Sequence, residues 1–205
     1  MASLKTRALA ATLLLLVAVP ALAQVSFSDG YTFLKAVRER DGATAERVLS
    51  NPSSNVINIR DQRTGEAALH ILARERELGW LGYMLSRGAR PDIQDNEGMT
   101  AMMLAAQIGW REGVERLLIA RADPNATNRR GETALIYAVQ RADVPLVRLL
   151  VVNGANPNQT DFVTGNSALD YARQDPRRQG VLRELENAGR PQRPAQVQGP
   201  ALPGQ

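Results

Sequence analysis

Apolar residues along this chain fall into pairs of short blocks that return at a fixed interval. "TGEAALHILARERELGWLGYMLSRGARPD", "EGMTAMMLAAQIGWREGVERLLIARADPN" and "RGETALIYAVQRADVPLVRLLVVNGANPN" share one layout: polar turn, apolar block, polar break, second apolar block. A further segment, "TGNSALDYARQDPRRQGVLRELENAG", follows it in its first half and is looser afterwards. The leading glycines, Gly65, Gly98, Gly131 and Gly165, stand 33, 33 and 34 residues apart. A period of this length marks one supersecondary unit repeated along a stack.

Each unit predicts a turn followed by two helices. Glycine opens the turn because it takes positive φ without a Cβ penalty. A short apolar helix follows, as in Ala134–Val139, and small residues such as Ala105, Ala106 and Ala138 let neighbouring helices approach. The second helix is expected to bury Val147, Leu149, Leu150 and Val151, with Asp143 as N-cap and Pro145 in its first turn. Gly88 and Gly154 sit where a left-handed C-cap belongs. Arg121 stands in that place in the middle unit, where it is expected to strain the backbone and to bend or fray the helix end. Helices this short are not stable alone in water, so each must bury its face against the next unit.

These units resemble the ankyrin repeat. The family's Thr-Pro-Leu-His motif appears as Ala67-Ala68-Leu69-His70, Thr100-Ala101-Met102-Met103, Thr133-Ala134-Leu135-Ile136 and Ser167-Ala168-Leu169-Asp170. Its Gly-Ala appears as Gly88-Ala89 and Gly154-Ala155, and as Arg121-Ala122 between them. The resemblance implies an all-α solenoid of helix-turn-helix units with protruding turns, about five repeats in all. Residues 24–60 are expected to form a degenerate N-terminal capping repeat and linker, with Ala36-Val37 in register and Pro52–Asn55 inserted. Residues 61–160 make three repeats, and 161–189 a C-terminal capping repeat in which Asp175-Pro176 restarts a helix. Arg47, Glu184 and Glu186 fit the watery face of a terminal repeat. Residues 190–205, rich in Pro and Gln, cannot offset the entropy of folding and are expected to be disordered.

The first 23 residues follow a different pattern. Lys5 and Arg7 precede an apolar run from Leu9 to Val19, and Ala21-Leu22-Ala23 forms a small-x-small site. This is the layout of a secretory signal peptide cleaved after Ala23, and the run is short of the roughly 20 residues that span a bilayer. A periplasmic or secreted protein without stable membrane insertion is expected. The chain has no cysteine, so neither disulfides nor lipid attachment at a thiol follow export.

Charge and chemistry narrow the function. Residues 24–189 hold 21 Lys+Arg and 21 Asp+Glu, so the folded body lacks the basic footprint of a nucleic-acid binder. His70 is the single histidine. It occupies the motif position that the resemblance implies to be a hydrogen-bonding residue between helix pairs. One imidazole without thiols cannot complete a zinc site, and no calcium loop or phosphate-binding Gly-Lys-Thr/Ser motif is present. Glu75 and Glu77 lie two apart in a helical segment, hence on different faces, and read as solvated surface. No catalytic residue, metal or cofactor is expected, and the protein reads as non-enzymatic.

The resemblance implies that partners meet the turn tips and the ends of the inner helices. In this sequence those positions include Arg63, Asn96, Glu97, Met99, Arg129, Arg130, Glu132 and Phe162 at the tips, and Arg74, Gln107, Gln140, Arg141 and Arg173 on the helices. Trp80 reads as core. Trp110 follows Gly109, reads as partly exposed and joins the candidates, since Trp is frequent at hot spots. Phe162 and Val163 either anchor a partner or pack beneath their longer turn. The local density of arginine reads either as solvated surface or as a site for a partner with an acidic patch, held by bidentate contacts. Some exported bacterial ankyrin proteins are associated with periplasmic catalase, so the resemblance implies a role accessory to an envelope enzyme. A small-ligand or enzymatic groove on the stack, and a self-associating structural protein, are the alternatives.

Overall fold

The structure, a computed structural model, describes residues 21–51 and 55–188. The first 20 residues of the expected signal peptide, the inserted Pro52–Ser54 and the expected tail lie outside them.

Five helix pairs follow one another: α1 (Ala21–Glu39) with α2 (Gly42–Leu49), α3 (Ala68–Glu75) with α4 (Leu78–Ser86), α5 (Ala101–Gln107) with α6 (Arg111–Ile119), α7 (Ala134–Gln140) with α8 (Val144–Val152), and α9 (Ala168–Gln174) with α10 (Gln179–Ala188). The first members pack in series, α1 on α3, α3 on α5, α5 on α7 and α7 on α9. The second members cover them, each against its own partner. The core runs unbroken from Phe33 to Leu185. This is the stack expected from the period.

The three central inner helices bury six successive residues because each is covered on two flanks and from behind. All of Ala134–Val139 is buried, and Ala105, Ala106 and Ala138 show no exposure. The hydroxyls of Thr100, Thr133 and Ser167 cap their helices by accepting the N–H three residues on. Outer helices bury only one stripe. In α8 that stripe is Leu146, Val147 and Leu150, whereas Leu149 and Val151, expected to be buried, are half-buried. They sit on the helix flanks, so the stripe is narrower and shifted towards the N-terminus. Asp143 caps α8 through the Leu146 N–H, with Pro145 in the first turn, as the sequence predicts. At the last repeat Asp175 caps a 3-10 turn, Pro176–Arg178, that leads into α10.

Trp110 is a correction. It is 5 % exposed, and its indole lies on the face of Gly113, which has no Cβ to obstruct it. The ring belongs to the core and offers no contact surface. Trp80 is half-buried and meets Tyr83 edge-on at 6.2 Å. Glu75 and Glu77 also differ from expectation. The left-handed Arg76 between them turns the chain, so both carboxylates reach the Arg40 guanidinium, at 2.8 and 2.7 Å. Glu184 does not face water at the stack end. It pairs with Arg148 of the preceding unit through two bonds of 2.9 and 2.8 Å.

Arg121 is left-handed, φ 62°, beside φ 89° and 92° for Gly88 and Gly154. The helix end does not fray. Ala122 N–H reaches the Leu117 carbonyl at 3.0 Å, matching Ala89 to Met84 and Ala155 to Leu150. The strain is therefore absorbed by the arginine backbone alone. Arg121→Gly removes it and loses no side-chain bond, so unfolding in urea should show a gain of about 1 kcal/mol. An unchanged midpoint would mean that the unfolded-state entropy of glycine offsets the relief.

Candidate protein-binding surface

The turns project beside the inner helices and are held by a repeated side-chain device. Asp61, Asp95, Asn128 and Asp161, spaced 34, 33 and 33 residues apart, each turn a carboxylate or amide oxygen back onto their own loop. Asp95 Oδ1 accepts from Glu97 and Met99 N–H at 2.8 and 2.9 Å, and Asn128 Oδ1 from Arg130 and Glu132 N–H at 2.8 and 3.0 Å. At the last turn, burial works against the Asp161 charge. The Thr164 N–H and hydroxyl, the Tyr171 hydroxyl and the Val163 N–H outweigh it and hold the carboxyl at about 2. Successive turns are then stitched by main-chain bonds: Asn96 N–H to Thr64, Arg129 N–H to Glu97 and Phe162 N–H to Arg130. A second series binds the loops behind, where Asn58, Asp92 and Asn125 accept N–H groups of Arg90, Asp123 and Asn156.

Between the turns and the inner layer lies a polar groove of about 620 Å³. Arg74, Asn96, Glu97, Met99, Gln107, Arg129, Arg130 and Glu132 line it, so more than half of the residues expected to meet a partner converge here. Their roles differ. Met99 and Glu132 are 5 % and 7 % exposed and form the floor, which corrects their expected place at the tips. Both leave the turn just where the chain re-enters the stack. Glu132 is buried in a network: Tyr137 hydroxyl donates to it at 2.8 Å and Asn128 Nδ2 at 2.9 Å, with Arg130 at 3.6 Å. Burial and the Glu132 carboxylate push the Tyr137 hydroxyl well above its usual range, so it remains a donor.

The rim separates arginines that serve the fold from those that do not. Arg74 is bound to Glu66 at 2.8 Å. Arg141 lies across Gly109 and donates to the Gln107 carbonyl at 3.2 Å, close to where Arg76 caps the Ile108 carbonyl at 2.6 Å. Gln140 offers its carbonyl to Arg178 at 3.4 Å, and Arg173 is 3.8 Å from Asp170. Among the described residues the Arg63 and Arg129 side chains have no hydrogen bond or ion pair. Phe162 lies over Gly131, next to this rim, and is 74 % exposed, with Val163 at 63 %. Exposure removes one of the two readings of these residues, because neither is packed beneath its turn.

The family model described as "Ankyrin repeats (3 copies)" matches residues 33–128 and 103–189. The chain belongs to the ankyrin-repeat family. An ankyrin repeat-containing protein of Treponema pallidum (strain Nichols) is 41 % identical over 116 residues. That stretch is 56 % of this chain and 38 % of the relative, so the chain spans less than half of the protein it matches. Ankyrin repeats are generally protein–protein interaction modules, and the family is typically non-enzymatic. The ankyrin groove here contains no group of three or more His, Asp or Glu placed to hold a metal among the described residues. The turn-holding Asp61, Asp95, Asn128 and Asp161 are absent from the candidates read from the sequence. Their spacing was the signal, since a short acceptor five or six residues before each motif recurs in phase with the glycines.

Proposed function

We propose that this ankyrin protein is an exported, non-enzymatic adaptor of the bacterial envelope that holds a protein partner by an acidic segment laid in the groove. The observation that carries the reading is the free Arg129 guanidinium at the groove rim, in a chain where most neighbouring arginines are already satisfied. An unpaired guanidinium is available to form a bidentate bond with a carboxylate. Exposed Phe162, which lies over Gly131 with its N–H on the Arg130 carbonyl, supplies the aromatic contact typical of hot spots. Export rests on the layout of the first 23 residues, and a periplasmic or secreted location on export. An envelope enzyme such as a catalase is the partner class of this reading, supported only by the association of some exported ankyrin proteins with periplasmic catalase.

Capture from periplasmic extract, followed by mass spectrometry, tests the reading. Arg129→Glu is the informative variant, because Arg141 also holds the end of α5 and its loss confuses binding with stability. We expect the wild-type chain to retain a partner that falls away with salt, and Arg129→Glu to weaken retention about tenfold or more. A partner retained equally by both proteins at every salt concentration would refute an acidic segment at this rim.

A further inference from the structure

The first repeat departs from the others in a way that makes a second cavity. α1 runs for 19 residues, against 7 or 8 in α3, α5, α7 and α9. Its C-terminal end keeps the register, since Arg40 takes the left-handed conformation of Arg76, Gly109 and Ala142. The extra turns therefore lie at its N-terminal end, where the other units present a projecting turn. Here a helix makes the wall. Tyr31, Leu34 and Arg38 fall on one helical face, opposite Ile59–Arg63 of the first turn. Gly30 permits the approach, because a Cβ there would meet Ile59 Cγ1 at 3.0 Å.

Between these walls is a half-open, mainly apolar cavity of about 510 Å³. Leu34 is buried at its base and Tyr31, 70 % exposed, stands at its mouth. The rim is basic: Arg38, Arg60 and Arg63 against the single carboxylate of Asp61. Arg38 is held by Asp61 at 3.1 Å and Arg60 by the Gly65 carbonyl at 2.9 Å, which leaves Arg63 unpaired. Asn96 joins the cavity's wall to the groove: it lines the groove, accepts from Arg60 at 3.1 Å and donates to the Arg63 carbonyl at 2.9 Å.

We infer that this cavity takes a bulky apolar side chain of the partner, flanked in sequence by acidic residues that meet Arg63. The inference rests on the groove reading above and adds an anchor to it. Charge complementarity selects the occupant. The chain's own ends are unsuited: residues 1–20 carry Lys5 and Arg7, residues 190–205 carry Arg190 and Arg193, and neither stretch has an acid. An apolar anchor in a pocket surrounded by charge-bearing rim contacts is the usual division of labour in peptide recognition.

Panning a random peptide display library on the purified full chain, then on Tyr31→Ala and Arg129→Glu, tests it. Tyr31 is exposed, so its truncation should leave the melting midpoint unchanged. The wild-type protein should enrich peptides that combine acidic residues with one Leu, Ile, Met, Phe or Trp. Tyr31→Ala should weaken those peptides about tenfold and abolish the apolar preference while the acidic one remains. Arg129→Glu should reduce the acidic preference alone. Acidic peptides without an apolar position, or an apolar preference indifferent to Tyr31→Ala, would overturn the anchor and leave the groove reading standing. Absence of any acidic enrichment, with Arg129→Glu without effect, would overturn both. A dimer in light scattering that Tyr31→Ala dissolves would assign the cavity to a second copy and reject the inference.

Discussion

Gly98→Ala is expected to destabilise this protein by about 3 kcal/mol, and Gly165→Ala by only about 1 kcal/mol. Both glycines open a turn in the left-handed region, at φ 80° and 69°. Both substitutions therefore incur the same backbone penalty. They differ in what stands next to them. A Cβ on Gly98 would lie 2.7 Å from the Arg129 nitrogen and 3.0 Å from Asn128 Cα, which are main-chain atoms of the following turn. That turn cannot yield without losing the Arg129 N–H bond to Glu97 and disturbing the Asn128 network beneath the groove. Around Gly165, in the last turn, nothing lies within 4 Å. Urea unfolding of the two variants measures the difference. Equal losses would show that the turns do not press on one another, and that stitching between them contributes nothing beyond local conformation. Gly131 should behave like Gly98, since its Cβ would meet the Phe162 nitrogen at 2.7 Å.

His70→Ala should cost a comparable amount, about 3 kcal/mol, and the wild-type protein should lose stability over an interval of falling pH that begins near the ordinary imidazole value of 6.5, for the same reason. The imidazole is 1 % exposed. Its Nδ1 accepts from the Ala67 N–H at 3.1 Å, and its Nε2–H donates to the Met99 carbonyl at 2.9 Å. Ala67 has no hydroxyl to cap α3, so the ring closes the helix start and also binds it to the next turn. Truncation leaves a buried donor, a buried acceptor and a void. Protonation is also unfavourable, because a hydrogen on Nδ1 would point at the Ala67 hydrogen. Burial above all holds the imidazole below its usual 6.5, although the Met99 carbonyl and the Asp95 and Glu66 carboxylates favour the cation. The sign follows. Below pH 6.5 the unfolded chain takes up a proton that the folded one refuses until a lower pH, so unfolding gains protons and stability falls as pH drops through that interval. Above it the full stability is present. The chain has one histidine, so this slope belongs to His70. His70→Asn, which does not titrate there, should be flat across the interval in urea unfolding. A slope that persists in His70→Asn would assign it to another group.

The repeat, the helix pairs and their buried faces were legible from residues 61–160 because a stack imposes the same environment on equivalent positions. Thr100, Thr133 and Ser167 announce helix starts, and Gly65, Gly98 and Gly131 announce turns, by chemistry that acts within a few residues. The groove was legible in outline for the same reason, and eight of the positions read as partner-binding line one cavity. Trp110 is misplaced as a contact, and Met99 and Glu132 as turn tips, because exposure depends on neighbours. A missing side chain at Gly113 makes room for the indole, and the Tyr137 network closes over Met99.

The sequence by itself determined the unit, its period, its caps and the register of the motif histidine, since those follow from backbone propensity and from apolar spacing within one repeat. Only the tertiary structure decided which arginines are spent. Arg74, Arg129, Arg130 and Arg141 read alike along the chain, yet Arg74 binds Glu66, Arg141 binds the end of α5, and Arg129 is left over. It likewise decided that the longer α1 walls off a cavity against Ile59–Arg63. Both outcomes depend on distances between residues of different repeats. A pattern of spacing carries which positions are equivalent, but not which side chain reaches a neighbour's carbonyl first.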